Sequence, residues 1–149
     1  MKSFMRAAIE KAREAGKLGE VPVGAVLVQH GQIIAAAGNR TRSLPDPTAH
    51  AEILVLREAA RNLGSERLLG CDLYVTLEPC AMCACAISHA RIRRLYFGAE
   101  DAKMGAVLNG PRIFDQASTH HRPDVYDGID GSACAELMRD FFLALRQPV

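Results

Sequence analysis

The chain has 149 residues, of which 49% are hydrophobic and 23% charged, and its formal net charge is +1. This length and composition indicate one globular domain, residues 1–149, and exclude a fibrous or disordered class. The near-neutral charge excludes a strong general attraction to nucleic acid or to an anionic membrane, so any such contact must be local. The charged amino terminus lacks the apolar core of a signal peptide or a membrane span, and we expect a cytoplasmic protein without membrane contact.

The first half of the chain predicts a helix, a hairpin and a second helix. Small and apolar residues recur at helical spacing over residues 4–18. Aliphatic runs at 24–29 and 32–39, joined by a His-Gly turn, predict two antiparallel strands. A proline-rich loop follows, after which residues 48–64 predict a helix whose first turn contains His50 and Glu52.

The second half predicts a strand, a helix and a strand in succession. The segments are a β-rich run at 71–77, a helical stretch at 78–90 that has a proline near its start, and a strand at 92–98. Two strands joined by a helix that packs back on the sheet are normally parallel. A weak strand near Val125 and an amphipathic helix at 132–147 complete the predicted elements.

Two short motifs carry candidate chemistry, TAHAEI at 48–53 and EPCAMC at 78–83. On a helix, Cys80 and Cys83 point to nearly the same face, and a helix N-terminus favours their thiolate forms. With the imidazole of His50 they supply three ligands, which leave Zn²⁺ one open tetrahedral position. The sequence therefore predicts one catalytic zinc ion per subunit, bound by His50, Cys80 and Cys83.

The other cysteines are not predicted to bind the metal. On a regular helix Cys85 points away from the pair formed by Cys80 and Cys83, while Cys71 and Cys134 are interpreted as small buried residues. A thioredoxin-like redox pair is the alternative interpretation of C-x-x-C, although such a pair needs no His-x-Glu motif upstream.

Glu52 is the candidate catalytic residue. Two positions apart on a straight helix, His50 and Glu52 diverge by about 200°, so both reach one site only if the first turn is irregular. A carboxylate that is not a ligand is what a catalytic zinc site needs to move protons. The alternative is that Glu52 only favours the helix N-terminus electrostatically.

The pattern H-x-E…P-C-x-x-C is the signature of zinc nucleobase deaminases. The chain also resembles the bacterial tRNA adenosine deaminases over residues 5–146, through PVGAVLV, GNR, DPTAHAEI, LYVTLEPCAMC, ISHARI, FGAEDAKMGA and the DFF of the last helix. This resemblance implies a cytidine deaminase-like three-layer α/β/α sandwich with a five-stranded mixed sheet, acting as a homodimer. It further implies hydrolytic deamination of adenosine to inosine at the wobble position of a tRNA anticodon, so that the partner is an anticodon stem-loop.

Matching positions also imply substrate contacts. Asn39 of GNR is expected to hydrogen-bond the flipped-out nucleotide, and Asp101 and Lys103 are expected to hold neighbouring anticodon nucleotides. Part of the RNA channel is expected to be lined by Phe141, Phe142 and Arg146. Each has an ordinary structural alternative, since Asn39 and Asp101 suit turns and the phenylalanines suit a core.

Two departures and two alternative functions accompany the resemblance. Glu100 places an acid beside the DAKMG loop, and LALR after the two phenylalanines makes the tail less basic than is usual in the family. A deaminase of a free base or nucleoside, of the guanine or cytosine type, shares the zinc signature, but DAKMGA favours the tRNA enzymes. A non-catalytic partner subunit typically lacks the glutamate, which is present here as Glu52.

Overall fold

The secondary structure follows the predicted order. The computed structural model describes residues 3–146. Its elements are α1 (Phe4–Lys17), β1 (Gly24–Gln29), β2 (Gln32–Gly38), α2 (Ala51–Leu63), β3 (Cys71–Leu77), α3 (Ala81–His89), β4 (Arg94–Ala99), a single 3₁₀ turn (Ile113–Asp115), β5 (Asp124–Tyr126) and α4 (Gly131–Arg146). The 3₁₀ turn was not predicted, and the predicted end of the last helix at 147 lies outside the described residues.

The five strands form one mixed sheet in the order β2-β1-β3-β4-β5. Strand β1 is antiparallel to both β2 and β3, whereas β3, β4 and β5 are mutually parallel. The predicted hairpin and the predicted parallel strand-helix-strand unit are both confirmed. Because β3 and β4 run in the same direction, the loops that follow them leave the sheet at one edge.

Helices cover both faces of this sheet. One core lies between the sheet and the helices α2 and α3, and a second, smaller core lies between the sheet and the helices α1 and α4. Burial on both faces explains why apolar residues predominate in β1 and β3. The arrangement is the expected three-layer α/β/α sandwich. No helix among residues 3–146 is long and apolar enough to cross a membrane.

Helix α1 packs directly on the backbone of β1. A Cβ atom at Gly24 would lie 2.0 Å from the carbonyl oxygen of Ala8, so this approach requires glycine. The contact fixes β1 beneath α1, and the segment Val21–Val23 that precedes β1 then reaches the edge of the sheet where β3 ends.

Candidate active site

The ends of α2 and α3 meet at the edge of the sheet where β3 ends. His50 is the N-cap residue of α2 and Cys80 is the N-cap residue of α3, both with extended backbone (φ −69°, ψ 152° and φ −74°, ψ 176°). The side chain of Asp46 accepts hydrogen bonds from the backbone N–H and the hydroxyl of Thr48, which holds this segment in a turn until α2 begins. The prediction that His50 lies inside the first helical turn was therefore wrong.

The two N-caps bring three metal-binding atoms together. His50 Nδ1 lies 3.7 Å from Cys80 Sγ and 3.5 Å from Cys83 Sγ. The three ligand atoms lie within 4.8 Å of one another. With ordinary Zn–N and Zn–S bond lengths and tetrahedral angles, a nitrogen and a sulfur on one zinc ion are about 3.6 Å apart. The side chains already have the spacing that zinc requires.

The number of ligands fits a catalytic rather than a structural zinc site. Within residues 3–146, His50, Cys80 and Cys83 form the one cluster of three or more His, Cys, Asp or Glu side chains with such spacing. A structural zinc site has four protein ligands, whereas a catalytic one has three and an open position. A soft set of two thiolates and one imidazole suits Zn²⁺ better than Mg²⁺ or Ca²⁺.

The close contacts among His50, Cys80 and Cys83 shift their pKa values. A hydrogen bond from Cys83, together with the hydrogen bond and charge of His50, lowers the pKa of Cys80 to about 4. Donation of that hydrogen bond, together with burial, raises the pKa of Cys83. The hydrogen bond to Cys80 also raises the pKa of His50. Zinc binds the thiolate form of cysteine, so the lowered pKa of Cys80 favours metal binding.

Glu52 lies beside the three ligand residues but does not belong to the ligand cluster. It is the second residue of α2, is 4% exposed, and lines the same cavity as His50 and Cys80. His50 and Glu52 converge because His50 precedes the helix, so the 200° divergence of a straight helix does not apply. Burial raises the pKa of Glu52 to about 7. A carboxyl group with such a pKa can accept and return a proton at neutral pH.

A cavity of about 300 Å³ opens over Glu52, His50 and Cys80. Its volume is at the lower end of the range for small-molecule sites, so it suits one nucleotide better than a stretch of strand. Much of the wall is apolar, and its apolar side chains are Val21, Val23, Leu77, Met104, Met138 and Phe142. Of these, Phe142 was predicted from the sequence to line the substrate site, whereas the other five were not.

Asn39 contributes a polar group to the cavity wall. It is 8% exposed, and its Oδ1 atom accepts the backbone N–H of Ala51 at 2.8 Å. This bond caps the first residue of α2 and fixes the orientation of the amide. The NH₂ group is therefore the donor that Asn39 can present to a ligand.

The remaining predicted substrate residues divide into two groups. Asp101 and Phe142 line the cavity, and Asp101 Oδ1 also accepts the backbone N–H groups of Lys103 and Met104. The turn role of Asp101 and its place at the cavity thus occur together. Outside the cavity lining lie the exposed Lys103 and Arg146 and the half-buried Phe141, whose ring packs edge-on against Phe142.

All five cysteines are free thiols, and three of them lie away from the metal ligands. Cys85 is exposed and lines a separate cavity with Ser88 and His89. Cys71 and Cys134 are buried, as predicted, one in each core of the sandwich.

Comparisons with known proteins define the class. The family model of the cytidine and deoxycytidylate deaminase zinc-binding region matches residues 1–99. The chain therefore belongs to this family of zinc-binding deaminases.

Full-length relatives narrow the family further. The chain is 62% identical to a tRNA-specific adenosine deaminase of Agrobacterium fabrum over 93% of its own length and 91% of the relative. It is 42% identical to a tRNA-specific adenosine deaminase of Aquifex aeolicus over 98% of its own length and 96% of the relative. Within the deaminases the chain belongs to the tRNA-specific adenosine deaminase family.

Solved structures agree with this assignment. A structure from studies of A-to-I editing by tRNA:A34 deaminases at the wobble position of transfer RNA is 62% identical and superposes with a TM-score of 0.89, covering 90% of this chain and 97% of that chain. The structure of a guanine deaminase from Bacillus subtilis is 30% identical and superposes with a TM-score of 0.67, covering 100% of this chain and 96% of that chain. Both the identity and the fold favour the tRNA enzymes over the guanine enzymes.

Proposed function

We propose that this protein is a zinc-dependent hydrolase that deaminates adenosine to inosine at the wobble position of a tRNA anticodon. The observation that carries the proposal is the buried Glu52 beside a three-residue ligand set at two converging helix N-termini. The tRNA substrate is supported by the 62% identity to a tRNA-specific adenosine deaminase. One deaminase domain comprising residues 1–149 accounts for the reaction.

Each residue at the base of the cavity has a role in this reaction. His50 Nδ1 and the Sγ atoms of Cys80 and Cys83 hold the metal. When bound, zinc lowers the pKa of a water molecule and makes it a nucleophile at neutral pH. Glu52 accepts one proton from the attacking water and delivers it to a ring nitrogen of the adenine. The second proton of the water moves to the amino group as the C–N bond breaks, so that ammonia leaves and inosine remains.

The cavity walls select the base and exclude water. A volume of about 300 Å³ holds one nucleotide, so the wobble adenosine must leave its strand to enter. The NH₂ group of Asn39 donates a hydrogen bond to a ring nitrogen of the base. Asp101 and Phe142 contact the nucleotides that border the cavity, and Phe141 supports the Phe142 ring.

Exposed cations outside the cavity bind the RNA backbone. Lys103 lies in the loop that forms one wall, and Arg146 lies at the end of α4. Contacts of this kind supply most of the salt-dependent affinity for RNA. They also reconcile the net charge of +1 with an RNA substrate, because the positive charge needs to act only at the cavity mouth.

We further propose that the enzyme acts as a homodimer in the cytoplasm. A groove between α2 and α3, with an apolar floor that includes Ile53, Leu56 and Ala86 and an exposed rim that includes Arg57, Glu66 and His89, is the surface that we assign to a second copy. Five free thiols suit a reducing compartment, in which tRNA is also present. Sedimentation equilibrium across a range of protein concentrations tests the dimer, and a monomer throughout would contradict it.

Turnover of four substrates tests the function. Zinc-loaded protein is incubated separately with an anticodon stem-loop that has adenosine at the wobble position, and with guanine, cytosine and free adenosine. We expect inosine and ammonia from the stem-loop at a rate far above that of any small molecule, because remote contacts position the reacting base. A stem-loop with guanosine at the wobble position and the Glu52→Gln variant are the controls. Faster release of ammonia from guanine than from the stem-loop would favour a guanine deaminase instead.

A further inference from the structure

A second buried acid, Glu78, lines the edge of the active-site cavity and belongs to the segment that carries the ligands Cys80 and Cys83. Its side chain is 2% exposed, and both carboxylate oxygens are fully used. Oε2 accepts the backbone N–H groups of Val107, Leu108 and Asn109 at 3.0, 2.9 and 3.1 Å. Oε1 accepts the backbone N–H of Asp101 at 3.1 Å and the side-chain NH₂ of Asn109 at 2.7 Å. Five donors from one loop therefore converge on one carboxylate.

The same loop packs closely against the backbone around Glu78. A Cβ atom at Gly105 would lie 2.6 Å from Glu78 Oε2, so the loop can approach the carboxylate only with glycine there. The backbone N–H of Ala106 donates to the carbonyl of Pro79 at 2.9 Å, and Gly105 forms an isolated β-bridge with Cys80. The loop and the metal-binding segment thus form one connected unit.

This geometry makes Glu78 unsuitable for proton transfer. Each carboxylate oxygen already accepts at least two hydrogen bonds, and charge-assisted bonds of this kind are strong. Glu52 remains the carboxylate with capacity for a proton. The five bonds of Glu78 instead hold both ends of the loop 101–109 against the segment that carries Cys80.

The position of this loop matters because its first residues form part of the cavity wall. Asp101 and Met104 line the cavity, and the turn between them places Lys103 on the surface. The turn is local, however, because Asp101 Oδ1 bonds only within residues 101–104. The bond from the Asp101 backbone to Glu78 ties this turn to the segment of Cys80, in addition to the Gly105–Cys80 bridge and the Ala106–Pro79 bond.

We propose that Glu78 is a positioning residue for the RNA substrate, which holds the loop 101–109 so that Asp101, Lys103 and Met104 meet the nucleotides beside the reacting base. This inference rests on the tRNA function proposed above. It assigns to Glu78 an effect on the Michaelis constant for RNA, transmitted through the loop, and no role in metal binding or in the chemical step.

The first test replaces one carboxylate oxygen of Glu78 with an NH₂ group. Glu78→Gln keeps the shape of the side chain but places an NH₂ group against N–H donors. The matched control is Asp72→Asn, since Asp72 is also buried, accepts two bonds from Arg93 at 3.0 and 2.9 Å, and lies at the other end of β3. Both variants are measured as full-length zinc-loaded protein for metal content, for kcat and KM on the stem-loop, and for amide hydrogen exchange.

We expect the two variants to differ in KM. Glu78→Gln raises KM for the stem-loop about tenfold or more while kcat stays within about threefold, because loss of charge-assisted bonds frees the loop. Its zinc content equals that of the parent, and the amides of Asp101 and of 107–109 exchange faster. Asp72→Asn leaves KM and those amides unchanged.

A paired substitution provides the rescue. Asn109→Asp alone places a second carboxylate against Glu78 and raises KM. Combining Glu78→Gln with Asn109→Asp exchanges the positions of amide and carboxylate, so the 2.7 Å hydrogen bond can form again in the reverse direction. We expect the double variant to recover at least about threefold in KM relative to Glu78→Gln, as coupled neighbours do. If Glu78→Gln does not fold, Asn109→Ala removes a single donor and is expected to raise KM by about threefold.

Several results would overturn the proposal. Faster amide exchange at 107–109 with an unchanged KM would show that loop position does not matter for RNA. Equal KM increases in Glu78→Gln and Asp72→Asn would show that the effect comes from a general loss of stability. If Asn109→Ala has to serve as the test, an unchanged KM in that variant would also contradict the proposal. If the parent itself leaves the stem-loop unmodified, the tRNA function fails and this inference fails with it. An active parent with an unaffected Glu78→Gln variant refutes the inference alone.

Discussion

Asn39 Oδ1 accepts the backbone N–H of Ala51 at 2.8 Å, so a side chain just after β2 caps the helix that carries Glu52. His50, the N-cap residue of α2, makes no side-chain cap of its own because its ring faces the thiols. Asn39 therefore caps α2 in place of His50. One amide both stabilises the helix and presents its NH₂ group at the cavity.

Asn39→Asp separates these two roles. The introduced carboxylate still accepts the Ala51 N–H near a helix N-terminus, so we expect thermal stability close to that of the parent. It no longer donates to the base, and deamination of the stem-loop should fall by about 10²-fold. Asn39→Ala, the companion variant, should lose both activity and about 1 kcal/mol of stability. Parent-like turnover by Asn39→Asp would show that the NH₂ group does not contact the substrate.

Metal content tests the ligand set directly. We expect about one zinc per chain in protein purified without chelator, since three ligands are already in place. Replacement of His50, Cys80 or Cys83 by alanine should lower the zinc content and abolish turnover. Cys85→Ala is the control, because Cys85 is exposed and lies outside the cluster. Zinc retained in the triple variant of the three ligands would refute the site.

Glu52→Gln is expected to keep zinc and fold while losing deamination. The amide has the shape of the carboxyl group but cannot accept and return a proton, so the rate should fall by about 10³-fold or more. Because Glu52 is not a ligand, elemental analysis should give the same zinc content as the parent. Turnover within a few-fold of the parent, measured on metal-loaded protein, would mean that another group moves the proton.

Much of the fold was predictable because its elements have strong local signals. The hairpin has aliphatic runs on both sides of a turn, and the strand-helix-strand unit has clear breaks between its elements. The first residue of each active-site helix was harder to predict. Neither His50 nor Cys80 belongs to the residue types that usually occupy N-cap positions, so the sequence placed both helix starts too early.

The contacts of Glu78 could not be predicted from the sequence. Its five donors come from residues 23 to 31 positions later, in a loop that has no helical or strand periodicity. Hydrophobic patterning identifies the elements that surround such a carboxylate but not the path of the chain between them. The zinc ligands were found because their motif is local, whereas the loop that shapes the cavity depends on the three-dimensional structure.

Glu20 gives the fold a specific response to acid. Its fully buried carboxylate accepts the backbone N–H groups of Arg42 at 3.1 Å and Ser43 at 2.8 Å. Burial alone would raise the pKa of Glu20, but these hydrogen bonds and the charge of Arg42 outweigh it and lower the pKa below 4.5. Because the folded-state pKa is the lower one, the stabilisation is present above about pH 4.5 and is lost as pH falls through the folded-state value.

Thermal unfolding of Glu20→Gln at several pH values checks this linkage. The melting temperature at pH 7 should fall by about 5 °C, and the difference from the parent should shrink as the pH is lowered below 4.5. Glu10→Gln is the control, because Glu10 forms an exposed pair with Arg13 that contributes little. A difference that stayed constant down to acid pH would show that the charge of Glu20 does not stabilise the fold.

Lys103 tests whether positive charge at the cavity mouth gives the enzyme its RNA substrate. Its side chain is exposed on the loop tied to Glu78, next to Met104 in the cavity wall, so Lys103→Glu should weaken stem-loop turnover at low salt without changing zinc content. The slope of log KM against log salt should decrease by about 1, as expected when one phosphate contact is lost.

Arg67→Glu is the control, because it makes the same charge change in the segment after α2. That helix has 13 residues, is about 20 Å long and leads away from the zinc ligands. We expect Arg67→Glu to retain the parent's KM and salt slope. If both variants weaken turnover equally, net charge rather than a local contact governs RNA binding. If neither does, the loop does not contact the backbone, and a small-molecule substrate becomes the better explanation of the cavity.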